Sequence, residues 1–173
     1  ELIPVFSGDG GLIIDNAAGV DLTSSVTLSS ALNLVTGNFN VRNNTLTLNG
    51  PSITGTPGNL TTTSGSSLVF GGSSAGVFIP VSVTSLTNLT INNTAGVTLN
   101  SNLTIASGGV LTLSGGVLDA GSYTISVTNT SSSAVTASET SFINLTTGGF
   151  RRTLPAGLSG TGSNYLFPIG EGG

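Results

Sequence analysis

The sequence predicts an all-β chain wound as a parallel β-helix, a β-solenoid with about three short strands in each coil of roughly twenty residues. Three observations predict it. Apolar-x-apolar triplets recur at a nearly fixed interval, they repeat in three phases, and Gly, Asn and Ser fill most of the gaps between them.

The triplets Leu12-Ile13-Ile14, Val20-Asp21-Leu22 and Val26-Thr27-Leu28 are followed by Leu32-Asn33-Leu34, Phe39-Asn40-Val41 and Leu46-Thr47-Leu48, at intervals of 20, 19 and 20. Later, Leu89-Thr90-Ile91, Val97-Thr98-Leu99 and Leu103-Thr104-Ile105 return as Leu111-Thr112-Leu113, Leu118-Asp119-Ala120 and Ile125-Ser126-Val127, at 22, 21 and 22. Each triplet turns its outer two side chains to one side and its middle one to the other, the period-2 signature of a half-buried strand. None is long enough for a helix or a membrane span. The two sets also match each other: Ile14 with Ile91 and Ala18-Gly19-Val20 with Ala95-Gly96-Val97 at an offset of 77, then Leu34 with Leu113 and Thr45 with Thr124 at 79. The slip falls at Gly108-Gly109, and Ile3-Pro4-Val5 with Ile79-Pro80-Val81 continues the match upstream at 76. A short repeat of one coil thus sits inside a long repeat of about four.

Residues 51–88 are less regular. Pro51, Pro57 and Gly58 break the pattern, whereas Ile53, Leu60, Leu68-Val69-Phe70 and Val77-Phe78-Ile79 keep planting apolar side chains, so the stretch reads as further coils with longer turns and not as a linker. The expected organisation is a β-helix over 1–149, with related copies at about 3–50 and 79–128. Residues 150–173, which hold two of the three Arg, form a terminal coil, a cap or the start of a following module.

In such a coil every strand amide pairs with the layer above or below, about 4.8 Å away. Inward residues stack in columns: Leu12 and Ile14 under Leu32 and Leu34, Val20 and Leu22 under Phe39 and Val41, Val26 and Leu28 under Leu46 and Leu48. Burying each such side chain contributes about 1.5 to 3 kcal/mol. Outward Thr suits an exposed strand, since its β-branch favours extended backbone while its hydroxyl stays wet. Gly at 19, 96, 108, 109, 115 and 116 suits corners with positive φ, and Asn at 16, 43, 93, 100 and 102 suits turns. About eight coils give a rod of roughly 38 Å. Aligning the copies puts Ile13, Asn33, Thr90 and Thr112 in one outward column and Asp21, Asn40, Thr98 and Asp119 in another, too mixed for a regular Thr array. The competing fold is an antiparallel β-sandwich, for which Asp9-Gly10 and Asn49-Gly50 are hairpin signals. Three-phase recurrence follows from a solenoid and is not required by a sandwich.

Composition sets the class. Of 173 residues, 37% are apolar, enough for a core. Only 6% are charged, against about a quarter in ordinary soluble domains. The net charge of −4 comes from seven acids and three Arg with no Lys, which points away from nucleic acid and anionic membranes. With no Cys, stability rests on packing. With no Met, the chain reads as an excised or processed segment whose targeting signal lies elsewhere.

The absence of His, Cys and Lys removes the usual nucleophile–base pairs and most metal sites, so a non-catalytic chain without cofactor is expected. Asp9, Asp15 and Asp21, six apart, come nearest to a calcium ligand set, against the plainer role of solvated turn side chains. Arg151-Arg152 suits an anionic glycan, or a solvated, interface-packing pair. Tyr123 falls on the inward phase and belongs to the core and not to a sugar platform. Asn-x-Thr triplets at Asn88, Asn102 and Asn144 match the glycosylation pattern at the rate chance allows in an Asn- and Thr-rich chain.

The phrases LTNLTINNTAGVTLNSNLTIASGGVLTLSGGVLDAGSYTISV and FINLTTGGFRRTLPAGLSGTGSNYLFPIGEGG resemble the repeat regions of very large secreted surface proteins of Bacteroidetes, of the adhesin type exported by the type IX secretion system. The resemblance covers most of residues 80–173 and, less closely, 12–50, through motifs of low complexity. It implies an extracellular, cell-surface, repetitive protein, a stalk or filament. The sorting domain that such proteins carry at the C-terminus is not visible here, so export by that route is implied by the resemblance and not shown. Three functions follow: a structural stalk, fibre or adhesin segment whose partners are neighbouring modules or further copies of itself; a module binding surface glycans; and a β-helical polysaccharide-degrading enzyme. The enzyme is disfavoured by the scattered acids.

Overall fold

The computed structural model describes residues 2–3, 11–158 and 164–171. Every strand pairing in it is parallel, and the strands lie on three faces of a coil. This is the predicted solenoid, and the sandwich is excluded.

The first face carries Leu12–Asp15, Leu32–Thr36 and Thr54–Gly55, and then Phe78–Ile79, Val97–Leu99, Leu118–Gly121, Ile143–Leu145 and Ile169–Gly170. The second carries Leu2–Ile3, Val20–Leu22, Phe39–Asn40 and Leu60–Thr61, and then Ser85–Leu86, Leu103–Ile105, Thr124–Val127 and Gly149–Arg152. The third is one unbroken sheet: Val26–Leu28, Thr45–Leu48, Ser67–Phe70, Asn88–Asn92, Leu111–Gly115 and Val135–Ala137. On the first two faces the ladder is interrupted between Thr54–Gly55 and Phe78–Ile79 and between Leu60–Thr61 and Ser85–Leu86. The irregular middle explains the gap. A 3-10 turn at Pro57–Asn59 and a long excursion through Gly71–Gly76 displace those strands, while Thr62 Oγ1 donating to the Ser85 carbonyl (3.0 Å) and Ser82 Oγ to that of Leu60 (2.6 Å) hold the second-face layers together.

All six predicted recurrences are register partners: Leu12 with Leu32, Val20 with Phe39, Val26 with Leu46, Leu89 with Leu111, Val97 with Leu118, Leu103 with Ile125. Their inward side chains form one apolar column running the length of the rod, from Ile14 to Ile143. Ile53, Leu60, Leu68, Phe70, Val77 and Ile79 of the middle segment are buried in it.

One expectation fails. The long repeat is not a whole number of coils: Leu89 lies three coils and two faces beyond Leu12, so the aligned triplets occupy different faces. Ile13 and Asn33 share their outward column with Thr54, on the first face, whereas Thr90 and Thr112 stand on the third. Asp21 and Asn40 continue into Thr61 on the second face, whereas Thr98 and Asp119 belong to the first. The cause is the coil length of 20 to 24 residues on the third face, of which 77 is not a multiple.

The corner glycines also divide. Gly19, Gly96 and Gly116 have positive φ, but Gly108, Gly109 and Gly115 do not. Gly109 is required for space instead, because a Cβ there would run into the Thr87 carbonyl of the coil below. The hairpin signal Asn49-Gly50 is such a corner too, with a Cβ on Gly50 meeting the Ser30 carbonyl oxygen at 2.6 Å; Asp9-Gly10 lies outside the described residues.

Candidate functional site

The outward positions decide what the rod presents. Parallel stacking sets each outward residue beside its equivalent one coil away, so like charges cannot be neighbours without cost. Two of the strand carboxylates, Asp21 and Asp119, show this. Asp21 accepts from Asn40 Nδ2 at 2.6 Å and Asp119 from Asn144 Nδ2 at 3.2 Å, each Asn being its register partner one coil on. Thr61 Oγ1 then donates to Asn40 Oδ1, extending the ladder.

Asp21 also accepts from Arg42 Nη2 at 2.8 Å. The Arg42 bond first, and then the Asn40 bond, hold the Asp21 carboxyl below its ordinary pKa, and the same carboxylate raises the guanidinium. Arg42 has φ +57°, and its carbonyl accepts from the hydroxyl of Ser66, a fully buried residue. Arg42 belongs to no local motif. The signal was the coil itself, since Arg42 follows Asp21 by 21 residues.

Of the three calcium candidates, the structure places two. Asp15 is exposed at the end of a first-face strand, Asp21 is engaged on the second face, and Asp9 lies outside the described residues. Among the described residues there is no group of three or more His, Cys, Asp or Glu able to hold a metal ion. The arginine pair splits by strand alternation. Arg151 points outward and is exposed. Arg152 is half-buried, donating from Nη1 to the Leu166 carbonyl (3.0 Å) and from Nη2 to that of Ser131 (2.8 Å), with its guanidinium 5.1 Å from the Tyr165 ring centre. Burial lowers its pKa. Arg152 therefore fastens the terminal segment to the turn at Ser132–Ala134. Tyr123 is half-buried and packs against the core.

The corrected registers reveal an array that the sequence alignment hid. The central outward column of the third face reads Thr27, Thr47, Val69, Thr90, Thr112, Thr136. Beside it run Ser25, Thr45, Ser67 and Asn88, linked coil to coil: Thr45 N donates to Ser25 Oγ (3.0 Å), and Asn88 Nδ2 to Ser67 Oγ (3.1 Å). No described strand of this face contains a charged residue, whereas the strands of the first two faces carry Asp15, Asp21, Asp119, Arg151 and Arg152.

A cleft of about 440 Å³ lined by Thr94, Gly96, Ser114, Gly116, Val117 and Thr140 contains no titratable group. None of the described helices is long and apolar enough to cross a membrane.

Compared with known protein families, with curated proteins and with solved structures, the chain matches none. The geometry therefore supports a β-solenoid scaffold, and any finer assignment rests on the chain's own residues.

Proposed function

We propose that this chain is a non-catalytic structural segment of an extracellular, cell-surface stalk or fibre of the adhesin type, as the resemblance to Bacteroidetes surface repeats implies. Its function is to set length and carry load through stacked coils. The observation that carries this is the single apolar column from Ile14 to Ile143, enclosed by parallel strands throughout. Such a stack is quasi-one-dimensional: each coil is held by its neighbours, and length is added by repetition. Scattered carboxylates, of which Asp21 and Asp119 are bonded to asparagines of the next coil, support a wall without chemistry. Electron microscopy of the parent protein on intact producing cells, labelled by antibody to this segment, tests the proposal together with turnover assays on neutral and acidic glycans. A labelled surface fibre with no turnover is expected. Intracellular label, or glycan cleavage, overturns it.

The third face favours a second reading, a module binding neutral surface glycans. Its five Thr in six layers form a rigid, uncharged strip of paired methyl and hydroxyl groups. The strip spans roughly 24 Å by one strand width, less than the about 800 Å² per partner of a stable protein interface, so a linear polymer suits it better than a protein. Co-sedimentation with insoluble neutral polysaccharides, lost in the Thr90→Lys, Thr112→Lys double variant, is the expected result. Equal retention of both proteins, or no binding by either, removes this reading.

A further inference from the structure

The layers of the rod are not all joined alike. Elsewhere between Leu12–Asp15 and Val135–Ala137, neighbouring coils pair their strands on all three faces. The coil that carries Thr54–Gly55 and Leu60–Thr61 pairs with the next one, which carries Phe78–Ile79 and Ser85–Leu86, on the third face alone. No main-chain hydrogen bond joins residues 54–61 to residues 78–86, although each set is bonded on its other side. Thr56 N donates to the Leu34 carbonyl in the coil below (2.7 Å). From the coil above, Thr98 N, Thr104 N and Ala106 N donate to the Val77, Thr84 and Leu86 carbonyls (3.0, 2.9 and 2.8 Å). Across this seam the second face has the two hydroxyl bonds from Thr62 and Ser82, and the first face has none. The apolar core does continue, with Ile53 and Leu60 below the seam and Ile79, Val83 and Leu86 above it.

Main-chain hydrogen bonds hold two layers at one spacing and one register, because they weaken steeply when stretched or bent. Burial of apolar surface is non-directional, so apolar layers can tilt on one another at smaller cost. In a stack held together by nearest-neighbour contacts, motion concentrates at the interface with the fewest bonds. The third-face sheet crosses the seam unbroken, from Leu46 through Leu68 to Leu89, and is the strap about which the two parts turn.

We infer that the rod bends at one built-in seam, where the coils of residues 11–61 and those of residues 78–158 open from each other on the first and second faces about the third-face sheet. This rests on the scaffold reading above and gives the scaffold a direction of bending. Opening on the far side curves the rod toward the third face, so the Thr column lies inside the bend. The hydroxyls of Thr62 and Ser82 are the latch that limits the opening.

Pairs of spin labels test this by double electron–electron resonance, in a chain without cysteine of its own. Ile13→Cys with Thr98→Cys places both labels on outward first-face positions, and Thr27→Cys with Thr112→Cys places both on the third face. Each pair is four layers apart, roughly 19 Å, with the seam between its members. The first-face distances are expected to be broader and to reach further than the third-face ones. Thr62→Val with Ser82→Ala should shift the first-face pair to longer distances still and leave the third-face pair unchanged. Ser82→Ala alone gives the same reading if the double variant does not fold. Thr128→Val, which removes a similar bond to the Ile105 carbonyl (2.9 Å) away from the seam, should change neither pair. Equal widths for the two pairs, or a first-face pair indifferent to the latch variants, overturns the seam. In those cases distances centred near the four-layer spacing leave the scaffold standing as a stiff rod, whereas distances far from it remove the scaffold itself.

Discussion

The corners at Asn16–Val20 and Asn93–Val97 have nearly the same sequence, Asn-Ala-Ala-Gly-Val and Asn-Thr-Ala-Gly-Val, and the same structure. In each, the Asn Oδ1 accepts from the Ala two residues on at 3.0 Å, the Gly N donates back to the Asn carbonyl at 2.8 and 2.9 Å, and the Gly has φ of +81° and +85°. In each, the next coil lays a glycine against that carbonyl, Gly37 over Asn16 and Gly116 over Asn93. Yet the first turns the chain from the first face to the second, and the second from the third face to the first. The corner is a local device that works at any vertex of the coil. Which face follows depends only on how many residues have passed.

The largest expected effect probes what the corners share. Gly37→Ala and Gly116→Ala each force a side chain into left-handed backbone and into the Asn carbonyl below, and should cost about 2 to 4 kcal/mol. Denaturant unfolding should give values within about 1 kcal/mol of each other; a large inequality would show that the vertices differ. Next comes what separates them. Asn93 is fully buried and also donates to the Ser74 carbonyl at 3.0 Å, while Asn16 is half-buried. Asn93→Ala should cost about 1 to 3 kcal/mol and Asn16→Ala less, so equal losses would place the energy in the turn alone. The smallest effect is confined to the first copy. Asp21 has Thr98 as its aligned equivalent, so only the first copy carries the Arg42-bonded carboxylate. Because its folded pKa is depressed, its stabilisation is fully present above the unfolded value of about 3.9 and is lost as pH falls through the folded value. Melting curves from pH 6 to 2 should fall less steeply for Asp21→Asn than for the wild type, and superimposable curves would deny the bond any role.

Much of this was legible. Leu12 to Val127 announce their coil partners because an inward position in a stack must be apolar every turn, and spacing alone then pairs Leu89 with Leu111. Face identity was not legible from the long repeat, because all three faces ask for the same apolar-x-apolar triplet, and a match at 77 residues cannot tell one vertex from another. That error concealed the Thr column and made the exterior look mixed. The ladder of Asp21, Asn40 and Arg42 could have been read from the one-coil interval. The terminal segment could not, since Leu154 to Phe167 follow neither period 2 nor the coil, and Arg152 bridges the Leu166 and Ser131 backbone carbonyls, which carry no sequence signal.

The stacking order is tested most directly by cysteine pairs in a chain that has no cysteine of its own. Thr90→Cys with Thr112→Cys places two outward side chains in adjacent layers about 4.8 Å apart, within the range that a disulfide spans. Mild oxidation should close that bond within one molecule and leave Ile13→Cys with Thr90→Cys, partners in the 77-residue alignment but on different faces, reduced. Closure of the second pair, or failure of the first in a folded protein, would contradict the coil.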